Sequence, residues 1–203
     1  MGHVDRERVA AAVAEILAAI GEDTDRPGLA ATPARVADAY ADMVSGLGVD
    51  PASALGDDSL VDASNGSGDS DGTAPDAETG LVVLRGIGFR ALCEHHLLPF
   101  LGTVAIAYQP AERLVGIGGL ARLVRIASSR PTLQERLTDD LVDALVRGLA
   151  PAGALVVVEA SHSCVTARGA EQRDSTAVTL AARGTLADPV RRAETVALIG
   201  RGL

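Results

Sequence analysis

Residues 81–108 read LVVLRGIGFRALCEHHLLPFLGTVAIAY. Two apolar, β-branched runs, LVVLRGIGF (81–89) and TVAIAY (103–108), read as strands. Between them LCEHHLLPF (92–100) places Cys93, Glu94, His95 and His96 ahead of an apolar tail. The chain has four histidines and two cysteines, and three of those six fall within four residues here. The second cysteine lies in SHSC (161–164) beside another histidine, directly after the strand-like ALVVVEA (154–160). Two strand ends therefore each carry Cys and His, and the fold turns on whether they meet.

Upstream, Val9, Val13, Ile16, Leu17 and Ile20 recur at helical spacing until Gly21. Thr32-Pro33 reads as an N-cap followed by proline at the first helical position, opening a helix that ends near Gly46. Residues 56–80, GDDSLVDASNGSGDSDGTAPDAETG, are acidic and polar with almost nothing to bury, and their spacing is not that of an EF-hand. That stretch reads as a flexible linker. Downstream, GLARLVRIA (119–127) is helical, and Pro131 is expected to open a longer helix. There Leu133, Leu137, Leu141, Leu145 and Leu149 recur every four residues as a buried stripe. TAVTLAARG (176–184) alternates as a strand, and the tail from Asp188 reads as helix. The expected organisation is an N-terminal helical region (1–55), the linker (56–80) and a single core (81–203). Its class is α+β, an antiparallel sheet with paired helices on one face.

Hydrophobic residues make up 47% of the 203 and aromatic ones 2%, so the core is built from Val, Leu, Ile and Ala. A net charge of −9 disfavours nucleic acid or an anionic membrane as a partner. All 18 basic residues are arginine, so any anion site relies on Arg and backbone N–H groups. No apolar run approaches the ~18–20 residues of a membrane span, and the charged start MGHVDRERVA lacks a signal-peptide core. A cytoplasmic location is expected, where two cysteines are thiols or metal ligands.

Cys93 and His96 form C-x-x-H, and Cys164 follows a later strand. Two thiolates and one imidazole suit Zn²⁺, and three protein ligands with an open fourth position mark a catalytic ion, whose bound water has its pKa lowered to about 7. Two unrelated buried cysteines beside a solvated histidine pair is the competing reading. If the metal reading holds, His95 and His162 stand at its mouth as proton carriers. Glu94 fits a ligand-orienting or substrate-binding role as well as that of a solvated charge. Gln134 and Glu135 fit either complements to the helix dipole or readers of a purine edge, since a carboxylate can accept from guanine N1 and N2.

Taken together, IGEDTDRPGLAATPARV (20–36), ALCEHHLLPFLG (91–102), LVGIGGLARLV (114–124), RPTLQERLTDDL (130–141) and VEASHSCVTARG (158–169) closely resemble GTP cyclohydrolase I, in order and spacing. The resemblance implies a tunnelling fold (T-fold), assembled into a toroidal homodecamer of two pentamers with active sites between subunits. It implies Cys93, His96 and Cys164 as zinc ligands and His95 and His162 as catalytic. Gln134 and Glu135 become the guanine readers, and Arg35, Arg122 and Arg168 the arginines that engage the triphosphate. The implied reaction opens the guanine ring of GTP at C8, releases formate and recloses the rearranged ribose to give 7,8-dihydroneopterin triphosphate.

Three positions depart from the family pattern. Gly118 and Gly119 stand where a serine and a phosphate-binding lysine are usual, and Asp38 where lysine is common. Loss of one charged phosphate contact costs about 1.5–3 kcal/mol, roughly ten- to a hundredfold in binding. The alternative expectation is therefore a divergent relative that takes a less phosphorylated guanosine or another purine or pterin, or stops at a ring-opened product.

Overall fold

The computed structural model describes residues 4–56, 60–62, 80–168 and 172–200. Helices α1 (Arg6–Ala19) and α2 (Thr32–Met43) pack together as an N-terminal hairpin. Thr32 is the first helical residue rather than the cap, which falls on Ala31 without a side-chain bond. Asp38, the departure noted on α2, accepts from Arg6 Nε of α1 at 3.0 Å. A short 3₁₀ helix (Pro51–Leu55) then buries Ala54 and Leu55 against the later helices.

Strands β1 (Leu60–Asp62) and β4 (Arg113–Val115) form a small antiparallel pair. Three residues of the acidic stretch thus join a sheet, and Leu60 packs against the core; residues 57–59 and 63–79 of that stretch lie outside the described residues. The main sheet contains β2 (Val82–Cys93), β3 (Pro99–Gln109), β5 (Pro131–Thr132), β6 (Gly153–His162) and β7 (Ala177–Gly184), in the order β5-β2-β3-β6-β7. Pro131 does not open a helix. Lacking an N–H, it suits an edge, and Pro131–Thr132 pairs parallel with β2, so the sheet is mixed rather than wholly antiparallel. Helix α4 begins at Gln134 (Gln134–Leu149), with Leu133 at its N-cap.

A bulge in β2 sets the phase of the site. Between Leu84 and Ile87 the strand holds one residue more than its partner β3, and Gly86 there takes φ 71. Before it Val82 and Leu84 face the main core; after it Ile87, Phe89, Ala91 and Cys93 do. Because side chains alternate, strict pairing would have turned Cys93 to the opposite face.

Helices α3 (Ile117–Ser128) and α4 cover that core face with Leu120, Leu123, Val124, Leu137, Leu141 and Leu145. Among the described residues the other face is covered at one end only, where Leu186 and Ile199, of a 3₁₀ turn (Thr185–Ala187) and α6 (Pro189–Gly200), meet Ala107 and Leu155. Elsewhere on it Leu101, Val178 and Leu180 are exposed. Where β3 pairs with β6 the strands approach so closely at Gly102 that a Cβ there would strike the Glu159 carbonyl.

Candidate functional site

The β2–β3 connection is a tight turn folded about Cys93, the last residue of β2. The Cys93 N–H donates to the Leu98 carbonyl at 2.8 Å, and the Cys93 carbonyl accepts from the Leu97 N–H at 2.8 Å. Leu97 sits at φ 53, a left-handed conformation that a branched residue holds only when its surroundings impose it. The turn leaves Cys93 buried and lifts His95 and His96 into solvent. Their rings meet edge to face at 6.2 Å.

The β3–β6 register pairs Phe100 with His162, which carries SHSC to the side of this turn. His162 ends β6, and Cys164 lies in the one-turn helix α5 (Ser163–Thr166). One ligand atom each of Cys93, His96 and Cys164 lies within 4.8 Å of the other two. Donors ~2.0–2.3 Å from a tetrahedral centre stand ~3.3–3.8 Å apart, so small side-chain rotations close the set on an ion. Both cysteines are free thiols. Burial pushes the Cys164 thiol up, and the neighbouring Cys93 pushes it further. A divalent cation reverses that effect, because coordination removes the thiol proton. The donor set fits a metal ion. Arg168, just beyond α5, donates from Nη2 to His96 Nε2 at 3.2 Å.

His162 is held on two sides. Its ring stacks on Phe100, 4.6 Å between centroids and 5° from parallel, and its Nε2 lies 2.7 Å from Gln134 Oε1. Burial holds its pKa below the ordinary histidine value, while the Glu135 carboxylate acts in the opposite direction. Gln134 is 2% exposed. Its amide nitrogen faces Val158 O at 3.0 Å, Ala177 O at 2.9 Å and Thr179 Oγ1 at 3.2 Å. Both N–H bonds of that amide are occupied inside the chain, so this side chain has no donor left for a purine edge; Glu135, beside it, is exposed.

Glu94 is not a lone solvated charge. Its Oε2 accepts from Arg136 Nη1 at 2.7 Å, and its N–H donates to the Thr132 carbonyl at 3.1 Å. The β2–β3 turn is thereby tied to β5 and to the first turn of α4. Arg35 stands exposed on α2, and Arg122 exposed on α3, two different helices. Gly118 and Gly119 lie in the first turn of α3; a Cβ on Gly118 would meet nothing within 4 Å.

Four participants escape a reading of the sequence alone. Phe100 belongs to the apolar tail of LCEHHLLPF, and its register opposite His162 makes it a platform for the ring. Arg136 follows the expected purine readers directly, and its charge beside an acidic turn was the available signal. Thr138 and Thr179, 2.6 Å apart and both bonded to Gln134, carry no local signal at all.

The GTP cyclohydrolase I family model matches residues 9–200. GTP cyclohydrolase 1 of Leifsonia xyli subsp. xyli (strain CTCB07) is 52% identical over 198 residues, 98% of this chain and 97% of the relative. The enzyme of the same name from Streptococcus pyogenes serotype M49 (strain NZ131) is 43% identical over 182 residues, 89% and 86% of the two chains. That of Rhodopirellula baltica (strain DSM 10527 / NCIMB 13988 / SH1) is 43% identical over 199 residues, 98% and 80%. Among solved structures, the archaeosine synthase QueF-Like in the apo form superposes with a TM-score of 0.43 at 19% identity, covering 55% of this chain and 97% of that one.

Proposed function

The chain belongs to the GTP cyclohydrolase I family, and from that premise we propose that its hydrolysis of GTP takes place at the cluster between the β2–β3 turn and α5, with zinc as the metal. The observation that carries this reading is the convergence of Cys93, His96 and Cys164 within 4.8 Å, with a histidine fixed beside it. A zinc ion bound there supplies Lewis acidity and a water of lowered pKa.

The chain's own residues do the rest. Glu135, in the first turn of α4, accepts from N1 and the 2-amino group of guanine, donors that adenine does not present. That contact turns the five-membered ring, and with it C8, toward the metal cluster. His162 gives a proton to the imidazole nitrogen of the base as the C8–N bond opens. His95 carries protons during loss of formate and the later rearrangement of the ribose. Arg35, Arg122 and Arg168 bind the triphosphate as the available cations, since the chain has no lysine. Glu94 acts by holding the metal turn through Arg136 rather than by touching the nucleotide.

We place the enzyme in a toroidal homo-oligomer of the T-fold type, a decamer of two pentamers with sites shared between subunits. The bare sheet face around Leu101, Val178 and Leu180, with Ile16 of α1 and its C-cap Ile20 exposed, supports that arrangement. The reducing cytoplasm is the compartment in which both cysteines stay thiols. Among the described residues no helix is long and apolar enough to cross a membrane.

The divergent reading rests on Gly118 and Gly119, where α3 offers no side chain to a phosphate. Incubating zinc-loaded protein with GTP, GDP and GMP separates the two. Formate and, after oxidation of the product, a fluorescent pterin triphosphate in equal amounts from GTP are the expected result. Formate without pterin, or a preference for GMP, favours the divergent reading.

A further inference from the structure

The bonds around Gln134 determine which nitrogen of His162 carries hydrogen in the neutral ring. An amide can be built in two orientations, but only one is compatible here. Two backbone carbonyls, Val158 O and Ala177 O, face one end of the Gln134 side chain at 3.0 and 2.9 Å. A carbonyl oxygen accepts and never donates, so the end facing them is the NH₂ group. The other end, Oε1, therefore faces His162 Nε2 at 2.7 Å. Oε1 can only accept as well, so Nε2 carries the hydrogen. In the neutral ring Nδ1 is then the nitrogen with a free lone pair.

The arrangement is rigid. Gln134 is 2% exposed, and its backbone carbonyl accepts from Thr138 Oγ1 at 2.8 Å. Thr138 in turn meets Thr179 Oγ1 at 2.6 Å, and that same oxygen borders the Gln134 amide nitrogen. Phe100 covers one face of the imidazole. The ring can neither flip end for end nor tilt without breaking the Gln134 bond or the stack.

We propose that Gln134 is a positioning residue that fixes His162 in its Nε2–H tautomer, so that every proton His162 gives or takes in the reaction passes through Nδ1. The step balances simply. Imidazolium, with hydrogen on both nitrogens, releases the Nδ1 proton to the purine nitrogen as the C8–N bond electrons move onto that nitrogen. The neutral Nε2–H ring remains, still bonded to Gln134, and is reprotonated at Nδ1 from water. The proposal rests on the assignment of His162 to proton transfer, and it removes Gln134 from base recognition.

The decisive measurement uses the unaltered enzyme. Solid-state ¹⁵N NMR of zinc-loaded, ¹⁵N-histidine-labelled protein, at a pH well above the ordinary histidine pKa of ~6.5, reads the tautomer directly. The His162 signals are assigned by subtraction against His162→Asn. A pyrrole-type Nε2 and a pyridine-type Nδ1 are expected; a protonated Nδ1 overturns the proposal. The second measurement is kinetic. Gln134→Met keeps length and shape but removes both ends of the network. A histidine left in the wrong tautomer can cost up to ~10⁴ in kcat in other hydrolases. Partial loss of tautomer control here is expected to lower kcat about ten- to a hundredfold, within the usual contribution of general acid–base catalysis. KM for GTP should stay within about threefold. A tenfold rise in KM with kcat retained would return Gln134 to base reading and overturn the proposal. Failure of the wild-type protein to form pterin from GTP would instead sink the functional reading and leave the tautomer result standing.

Discussion

Replacing Glu94 with glutamine separates two roles that differ in magnitude. In the structure the Glu94 carboxylate meets Arg136 at 2.7 Å, with the side chains 29% and 56% exposed. A partly solvated pair of this kind contributes ~0.2–1 kcal/mol. If Glu94 only holds the metal turn against α4, Glu94→Gln loses no more than that. Zinc affinity then falls by about 1.5- to 5-fold, since 1.4 kcal/mol is tenfold, and KM for GTP hardly changes. A carboxylate bonded directly to the nucleotide would behave differently. Loss of one charged hydrogen bond costs about 1.5–3 kcal/mol, and KM would rise roughly ten- to a hundredfold. Arg136→Gln supplies the control, because a clamp is broken equally from either end, and the double variant should be no worse than either single one. The assay is zinc retention against a competing chelator alongside steady-state formation of fluorescent pterin. A large KM increase in Glu94→Gln that Arg136→Gln does not reproduce would refute the clamp.

Three further outcomes follow from the same geometry. Cys164→Ala should remove bound metal and turnover together, measured as zinc content and formate release; retained activity would show the site to be misassigned. Leu141 is 0% exposed on the core face of α4, so Leu141→Ala should destabilise by about 2–5 kcal/mol in a denaturant titration, and a loss under ~1 kcal/mol would mean that helix is not packed as described. Burial raises the Asp140 pKa above 3.8 against the pull of Arg130 and Arg136, and an acid with a raised folded pKa weakens the fold above that pKa. Asp140→Asn should therefore raise the melting temperature slightly near neutral pH, by an amount worth up to about 0.5 kcal/mol. The gain should fade as pH falls through the folded pKa toward 3.8; a lower melting temperature at neutral pH would contradict the assigned burial.

Much of the site was legible because its residues are rare. With four histidines and two cysteines in the chain, C-x-x-H at one strand end and a Cys after another left few ways to build a metal site. The leucine repeat of α4 was equally plain, since a four-residue period under buried leucines has one structural meaning. What escaped depended on partners distant in sequence. Pro131 looks like a helix opener by local preference, but the free edge of β2 drew it into the sheet. Gly86 gave no hint that β2 would gain a residue relative to β3, because a bulge is defined by the pairing. Gln134 sat beside Glu135 as an apparent twin, and only the carbonyls of β6 and β7 separate their roles. Leu60–Asp62 lay hidden in an acidic tract because three residues cannot register a period.

The two-residue strand β5 acts as a gauge block. It pairs with Leu92 and Cys93 on one side, and one residue later the chain enters the helix that carries Glu135. Main-chain hydrogen bonds thus fix the spacing between Cys93 and the start of the helix that carries Glu135. A fused bicyclic base has an equally fixed span from its amino edge to C8. Under the base contact proposed for Glu135, a purine is matched to that spacing through the backbone. One residue inserted between Thr132 and Gln134 would mis-set that gauge without altering Cys93, His96 or Cys164.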